Sequence, residues 1–161
     1  VRFLKTIFME VSIMLVRNGK YLGRSVIEVM YKDSDYVNQK TLPENEYGKQ
    51  GIFLDMTDDI SNRLERMPIH GKCDVCSEET QDLNLILKNN ELKKCCAGCL
   101  AMDENHGPTI SNYYDLLFSI KEKELFKKLL KQLCVYKGMK DDFRYRSYLD
   151  FMINKVMMYP V

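Results

Sequence analysis

The chain has 161 residues, 45% of them hydrophobic and 29% charged, with a formal net charge of +1. That length and balance describe one ordinary folded domain, or a small module set in a modest core, and they exclude wholesale disorder. A net charge near zero also excludes a bulk electrostatic case for nucleic acid or membrane, so any such surface must be local.

The N-terminal stretch VRFLKTIFMEVSIMLV starts basic and turns apolar. Lys5, Glu10 and Arg17 interrupt it and no small-residue cleavage site is present, so it reads as folded structure rather than a signal peptide. No apolar run approaches the ~20 residues of a membrane-spanning helix. Residues 3–16 and 21–31, rich in β-branched and aromatic side chains and separated by Asn18-Gly19, predict a β-hairpin. Residues 32–51 are polar, carry Pro43, Gly48 and Gly51, and predict a loop; GIFLDM predicts a short strand. Thr57, followed by Asp58 and Asp59, is placed to cap a helix running to Met67, where Pro68 stops it.

Five of the six cysteines then fall between Cys73 and Cys99. Between them, Leu85 to Leu87, the Asn89-Asn90 turn, and Leu92 with Lys93 predict a hairpin, and Leu100-Ala101-Met102 begins a helix. Gly107-Pro108 breaks the chain and Ser111 can cap the next helix. Leu116, Leu117, Ile120, Leu125, Leu129, Leu130 and Leu133 predict one amphipathic helix, ended by Gly138. Asp141 and Asp142 open a last helix through Phe143, Tyr148, Met152 and Val156 to Pro160. The predicted class is α+β, with a β-rich region with a short helix at 1–67, a cysteine module at 68–107 and helices at 108–161, packed as one unit.

Crowded cysteines can be disulfides, a redox dithiol or metal ligands. Secreted disulfide scaffolds spread their cysteines throughout, and adjacent Cys95-Cys96 is awkward to oxidise. A thioredoxin-type dithiol needs a βαβ setting that this chain lacks. Cys73, Cys76, Cys96 and Cys99 instead give two Cys-x-x-Cys pairs at a separation suited to one structural Zn2+ held by four thiolates. Cys95 in place of Cys96 would make the second pair Cys-x3-Cys, and His70 or His106 could complete a three-cysteine site. The matched spacing favours Cys96, leaving Cys95 a packed free thiol, the histidines ordinary imidazoles and Cys134 a core residue.

The order of CDVC knuckle, hairpin, CAGC at a helix start, then LAMDENHG resembles a treble-clef zinc finger, and among these a GATA-type finger, over about residues 72–107. The resemblance implies Cys73, Cys76, Cys96 and Cys99 as ligands. The family's hairpin Trp is missing, and residues 73–107 hold three Lys against seven Asp and Glu, which opposes phosphate binding by the module itself. Four thiolates leave zinc no open position, no His-x-Glu motif accompanies the cysteines, and no phosphate-binding glycine loop or nucleophile elbow occurs, so no enzyme and no small-molecule substrate is expected.

Residues 121–161 contain ten Lys and Arg against five acids, with KKLLKQ and FRYRSY mixing cations and aromatics. Lys127, Lys128, Lys131, Arg144 and Arg146 are the candidate nucleic-acid contacts. If they only solvate a helix, the partner is a protein. The expected function is non-enzymatic, intracellular (nuclear or cytoplasmic) and regulatory, linked to transcription by fold analogy. The alternative is a structural or assembly protein in which zinc only staples the fold. Seventeen Lys against seven Arg, ten Met and no Trp suit an AT-rich genome, including many large DNA viruses.

Overall fold

In the computed structural model, which describes residues 15–41, 51–142 and 144–160, helices come first and last and strands lie between them. Seven helices and two small antiparallel strand pairs among the described residues give the α+β class that the sequence predicts, with the cysteines mid-chain.

The first helices stand where strands and a loop were expected. α1 (Val26–Lys32) replaces the second arm of the N-terminal hairpin, of which the described residues retain a bridge between Leu15 and Ser25 and the Gly19 bend (φ +82°). Val26, Ile27, Val29 and Met30 are all buried, so most of the circumference of α1 is enclosed and packing overrides the β-propensity of Val and Ile. The first arm, residues 3–14, lies outside the described residues, as do 42–50 of the expected loop. α2 (Ser34–Thr41) takes the rest of that loop, and α3 (Gly51–Arg66) absorbs the strand expected at GIFLDM. Thr57 is therefore inside α3 rather than its cap, and its hydroxyl donates back to the Phe53 carbonyl at 2.9 Å. The expected end before Pro68 holds.

β1 (Gly71–Lys72) and β2 (Glu79–Thr80) flank the first cysteine pair. β3 (Leu83–Lys88) and β4 (Glu91–Cys96) pair antiparallel, from Leu83 opposite Cys96 to Lys88 opposite Glu91. The turn is the expected Asn89-Asn90, both at positive φ (53° and 60°), which matches the twist of a two-residue hairpin. α4 (Ala97–Met102) follows directly. The chain then returns along β3: the Leu87 N–H donates to Pro108 O at 3.0 Å and the Ile110 N–H to Leu85 O at 2.9 Å. Gly107 permits this close approach, because a Cβ there would stand 1.7 Å from the Leu87 carbonyl oxygen.

The long helix expected through Leu133 is two, α5 (Tyr113–Ser119) and α6 (Lys123–Tyr136), separated by extended Ile120 (φ −122°, ψ 123°). The Glu122 carboxylate caps α6 by accepting the N–H groups of Glu124 and Leu125 at 2.9 and 2.6 Å. The five-residue step from Ile120 to Leu125, too long for one helical face, marks the break. Asn112, not Ser111, caps α5 by accepting the Asp115 N–H at 2.8 Å. α6 ends as expected at Gly138 (φ +118°), where the Met139 N–H reaches Cys134 O at 2.9 Å and the Gly138 N–H reaches Val135 O at 3.1 Å. α7 (Tyr145–Phe151) begins at Tyr145 rather than at Asp141-Asp142, since the Asp142 carboxylate is taken up by the Arg144 N–H and the Ser147 hydroxyl. A wider turn, Met152–Val156, continues it.

α1 lies at the centre of the helical core. Two fully buried tyrosines tie other helices to its carbonyls: Tyr113 of α5 donates to Met30 O at 2.8 Å and Tyr148 of α7 to Ile27 O at 3.0 Å. The strands join this core through α6. Gln132 accepts the Leu92 N–H at 3.4 Å, and the Tyr136 hydroxyl donates to Leu92 O at 3.2 Å.

Candidate metal centre and basic face

The first pair sits on a tight knuckle between β1 and β2. The Cys73 N–H donates to Glu78 O at 3.0 Å and the Ser77 N–H to Cys73 O at 2.9 Å, with Ser77 at φ +62°. Asp74 fastens this knuckle to β4: its N–H donates to Lys94 O at 2.9 Å and its carboxylate accepts the Lys94 N–H at 2.8 Å. The second pair straddles the start of α4, where the Cys96 sulfur accepts the Cys99 N–H at 3.5 Å as the helix cap. The two pairs meet because the β3–β4 hairpin brings the end of β4 back against the knuckle.

The result is one cluster. The sulfurs of Cys73, Cys76, Cys96 and Cys99 all lie within 4.8 Å of one another. Cys76 and Cys96 are separated by 3.8 Å, sulfur to sulfur, and all six cysteines are unbridged thiols. Zinc–sulfur bonds of ~2.3 Å in a tetrahedron place sulfurs ~3.8 Å apart, so this space fits a single metal ion. The four cysteines are positioned to bind it.

Electrostatics point the same way. The Cys76 and Cys96 backbone N–H groups, followed by that of Val75, lower the Cys73 thiol to about 6. Crowding by the Cys96 and Cys76 sulfurs pushes Cys99 far above the ordinary thiol range. Four sulfurs this close become thiolates together only around a cation, which is the chemistry of a closed thiolate site.

Cys95 lies outside the cluster. It is buried on the other face of β4, with its thiol against the Cys96 carbonyl at 3.5 Å, and burial raises its pKa. His106 is turned to its own neighbour, Nδ1 standing 2.7 Å from Gly107 O, and His70 is exposed; neither belongs to the sulfur cluster. Cys134 is fully buried in α6. A cavity of about 740 Å³ opens beside the cluster on the Cys95 face of the hairpin, with Val75, Ile86 and Met102 among its walls. Val75 and Met102, 69% and 86% exposed, put two apolar side chains in solvent on the same cavity wall.

Of the five basic residues singled out in the sequence, three come together. Lys127, Lys128 and Lys131 of α6 line one groove with Tyr31 of α1. Arg144 and Arg146 are exposed at the start of α7 but do not line it. Tyr31 and Asp74 belong to these sites yet are not singled out by the sequence. An acid inside a Cys-x-x-Cys knuckle was the available signal for Asp74; nothing local to α1 marks Tyr31.

Among the described residues no helix is long and apolar enough to cross a membrane. Comparison with known protein families, with curated proteins and with solved structures finds no match.

Proposed function

We propose that the protein is a non-enzymatic zinc-binding regulator in which one Zn2+, held by Cys73, Cys76, Cys96 and Cys99, organises the centre of the chain. One observation carries this: four sulfurs from two separate turns gathered at the spacing of a thiolate tetrahedron. With four sulfurs on the ion no position is left for substrate or activated water, so the metal is structural. The order of knuckle, hairpin and helix-borne second pair supports the treble-clef comparison, and through it a transcription-linked role. The test is metal analysis of protein purified under reducing conditions, with X-ray absorption at the zinc edge. One zinc per chain with four sulfurs near 2.3 Å is the expected result. Stoichiometric absence of metal from a folded protein refutes the reading.

A second reading has its own support. Exposed Val75 and Met102 beside the cavity at the cluster suit a protein partner, for which zinc would only staple the module. Discrete hetero- or homo-oligomers, with no salt-dependent affinity for DNA or RNA, favour it.

A further inference from the structure

We propose that the face formed by α1, α6 and the start of α7 binds single-stranded nucleic acid, its lysines holding the backbone and its tyrosines stacking on bases. The proposal deepens the regulatory reading by naming the partner and the surface that meets it.

The groove there has a volume of about 370 Å³ and is walled by Lys127, Lys128 and Lys131 around Tyr31. Lys127 and Lys131 both direct their ammoniums over the Tyr31 ring, at 5.7 and 5.3 Å from its centroid. Lys32 does the same over Tyr145 at 5.0 Å, and the Tyr31 and Tyr145 centroids are themselves 5.0 Å apart. Three cations thus cover two touching aromatic rings, with Lys128 on the groove wall beside them. Glu124 and Glu28 offset Lys127 and Lys32, at 3.3 and 3.0 Å, while among the described residues no ion pair is formed by Lys128 or Lys131. Like charges one turn apart on a helix repel, so this arrangement favours a polyanion that neutralises them.

Three features select a single strand. The groove admits a nucleotide-sized group but not a duplex. Tyr31 on its wall offers a stacking face to an unstacked base, which a duplex hides and an acidic peptide lacks. Lys127 and Lys131 stand ~6 Å apart along the axis of α6, a step suited to successive phosphates of an extended strand. A base laid on Tyr31 displaces the ammoniums that cover the ring, and these turn to the flanking phosphates.

The test uses the zinc-loaded full chain and fluorescence anisotropy with labelled oligo(dT), a duplex of equal length and polyglutamate as competitor, across a salt series. The single strand is expected to bind more tightly than the duplex. The triple variant Lys127→Gln, Lys128→Gln, Lys131→Gln should lower the log–log salt slope by about 2, since each lost phosphate contact on a single strand removes about 0.7. Tyr31→Leu should weaken binding about tenfold at unchanged slope. Circular dichroism and metal content are read on every sample. Should Tyr31→Leu misfold, the surface-only lysine variant decides alone. A zinc-replete, folded protein that fails to bind oligo(dT) at low salt overturns the proposal while leaving the zinc reading intact. So does equal or tighter duplex binding, unchanged binding by the triple variant, or displacement by polyglutamate as strong as by the strand itself, which would make the partner an acidic protein.

Discussion

Replacing Cys96 by serine isolates the metal from everything else the residue does. Its sulfur caps α4 by accepting the Cys99 N–H, and serine is among the best helix caps, so Cys96→Ser keeps the cap and removes the thiolate. Structural zinc in small modules contributes ~10–16 kcal/mol, or ~3 kcal/mol for each of four ligands, so affinity should fall ~100-fold. Cys95→Ser is the matched control, one residue away. It exchanges a buried thiol for a hydroxyl that can still donate to the Cys96 carbonyl, at a cost of about 1 kcal/mol in stability and none in metal content. Competition with a graded chelator measures the first effect and urea unfolding the second. The reasoning fails if Cys96→Ser retains zinc at wild-type affinity while Cys95→Ser loses it, because the ligand set would then include a residue whose sulfur is not among the four gathered.

Two further substitutions test how the site is supported. Gly107→Ala should destabilise by about 3 kcal/mol in urea unfolding, because its Cβ would stand 1.7 Å from Leu87 O and would force the returning chain off β3; a loss below ~1 kcal/mol would show that the contact is not needed. Lys137, 7% exposed with its ammonium donating to Met67 O at 2.7 Å, has its pKa lowered by burial from 10.5 to about 8. Below that value the fold carries a charge it disfavours; from about 8 to 10.5 the unfolded chain holds the proton and the native state sheds it, so this residue's penalty fades as pH rises. Lys137→Met should therefore be more stable by about 2 kcal/mol at pH 7, allowing for one lost hydrogen bond, with the advantage shrinking above pH 8. A pH-independent difference between variant and wild type would refute this.

The parts of the fold written in local chemistry were legible, and the parts decided by packing were not. Asn89-Asn90 dictates its turn with two positive φ angles, Gly138 supplies the left-handed residue that ends α6, and the two Cys-x-x-Cys spacings mark the residues that the fold clusters. Val26, Ile27 and Val29 misled because their β-branched preference is worth only tenths of a kcal/mol each, against the burial of a whole helix among α2, α3 and α6. GIFLDM failed similarly: six residues cannot distinguish a strand from the first turns of a sixteen-residue helix. The basic face was half legible. Lysines at 127, 128 and 131 are readable as one side of a helix, whereas Tyr31 reaches them only because α1 packs against α6.

Charge and distance together explain why a polyanion would meet the helices rather than the zinc. Residues 73–107 carry net −4, and four thiolates around Zn2+ bring the module to −6, while residues 121–161 carry +5. The two are joined where Gln132 and Tyr136 of α6 meet Leu92 of β4, so the groove begins at that joint, beside Lys131, and Lys127 lies ~13 Å back along α6 from Tyr136. At physiological salt the screening length is ~8 Å, so the module's repulsion is weakest at Lys127 and Lys128, the end of the groove farthest from it. In dilute salt that length grows to ~30 Å, and the module repels any strand long enough to extend past Tyr136. A short strand confined to the groove should bear less of this penalty than a longer one, so affinity at low salt should stop rising with strand length once the strand reaches the zinc module. Affinity that continues to rise with length would instead place phosphates on the module, against its charge.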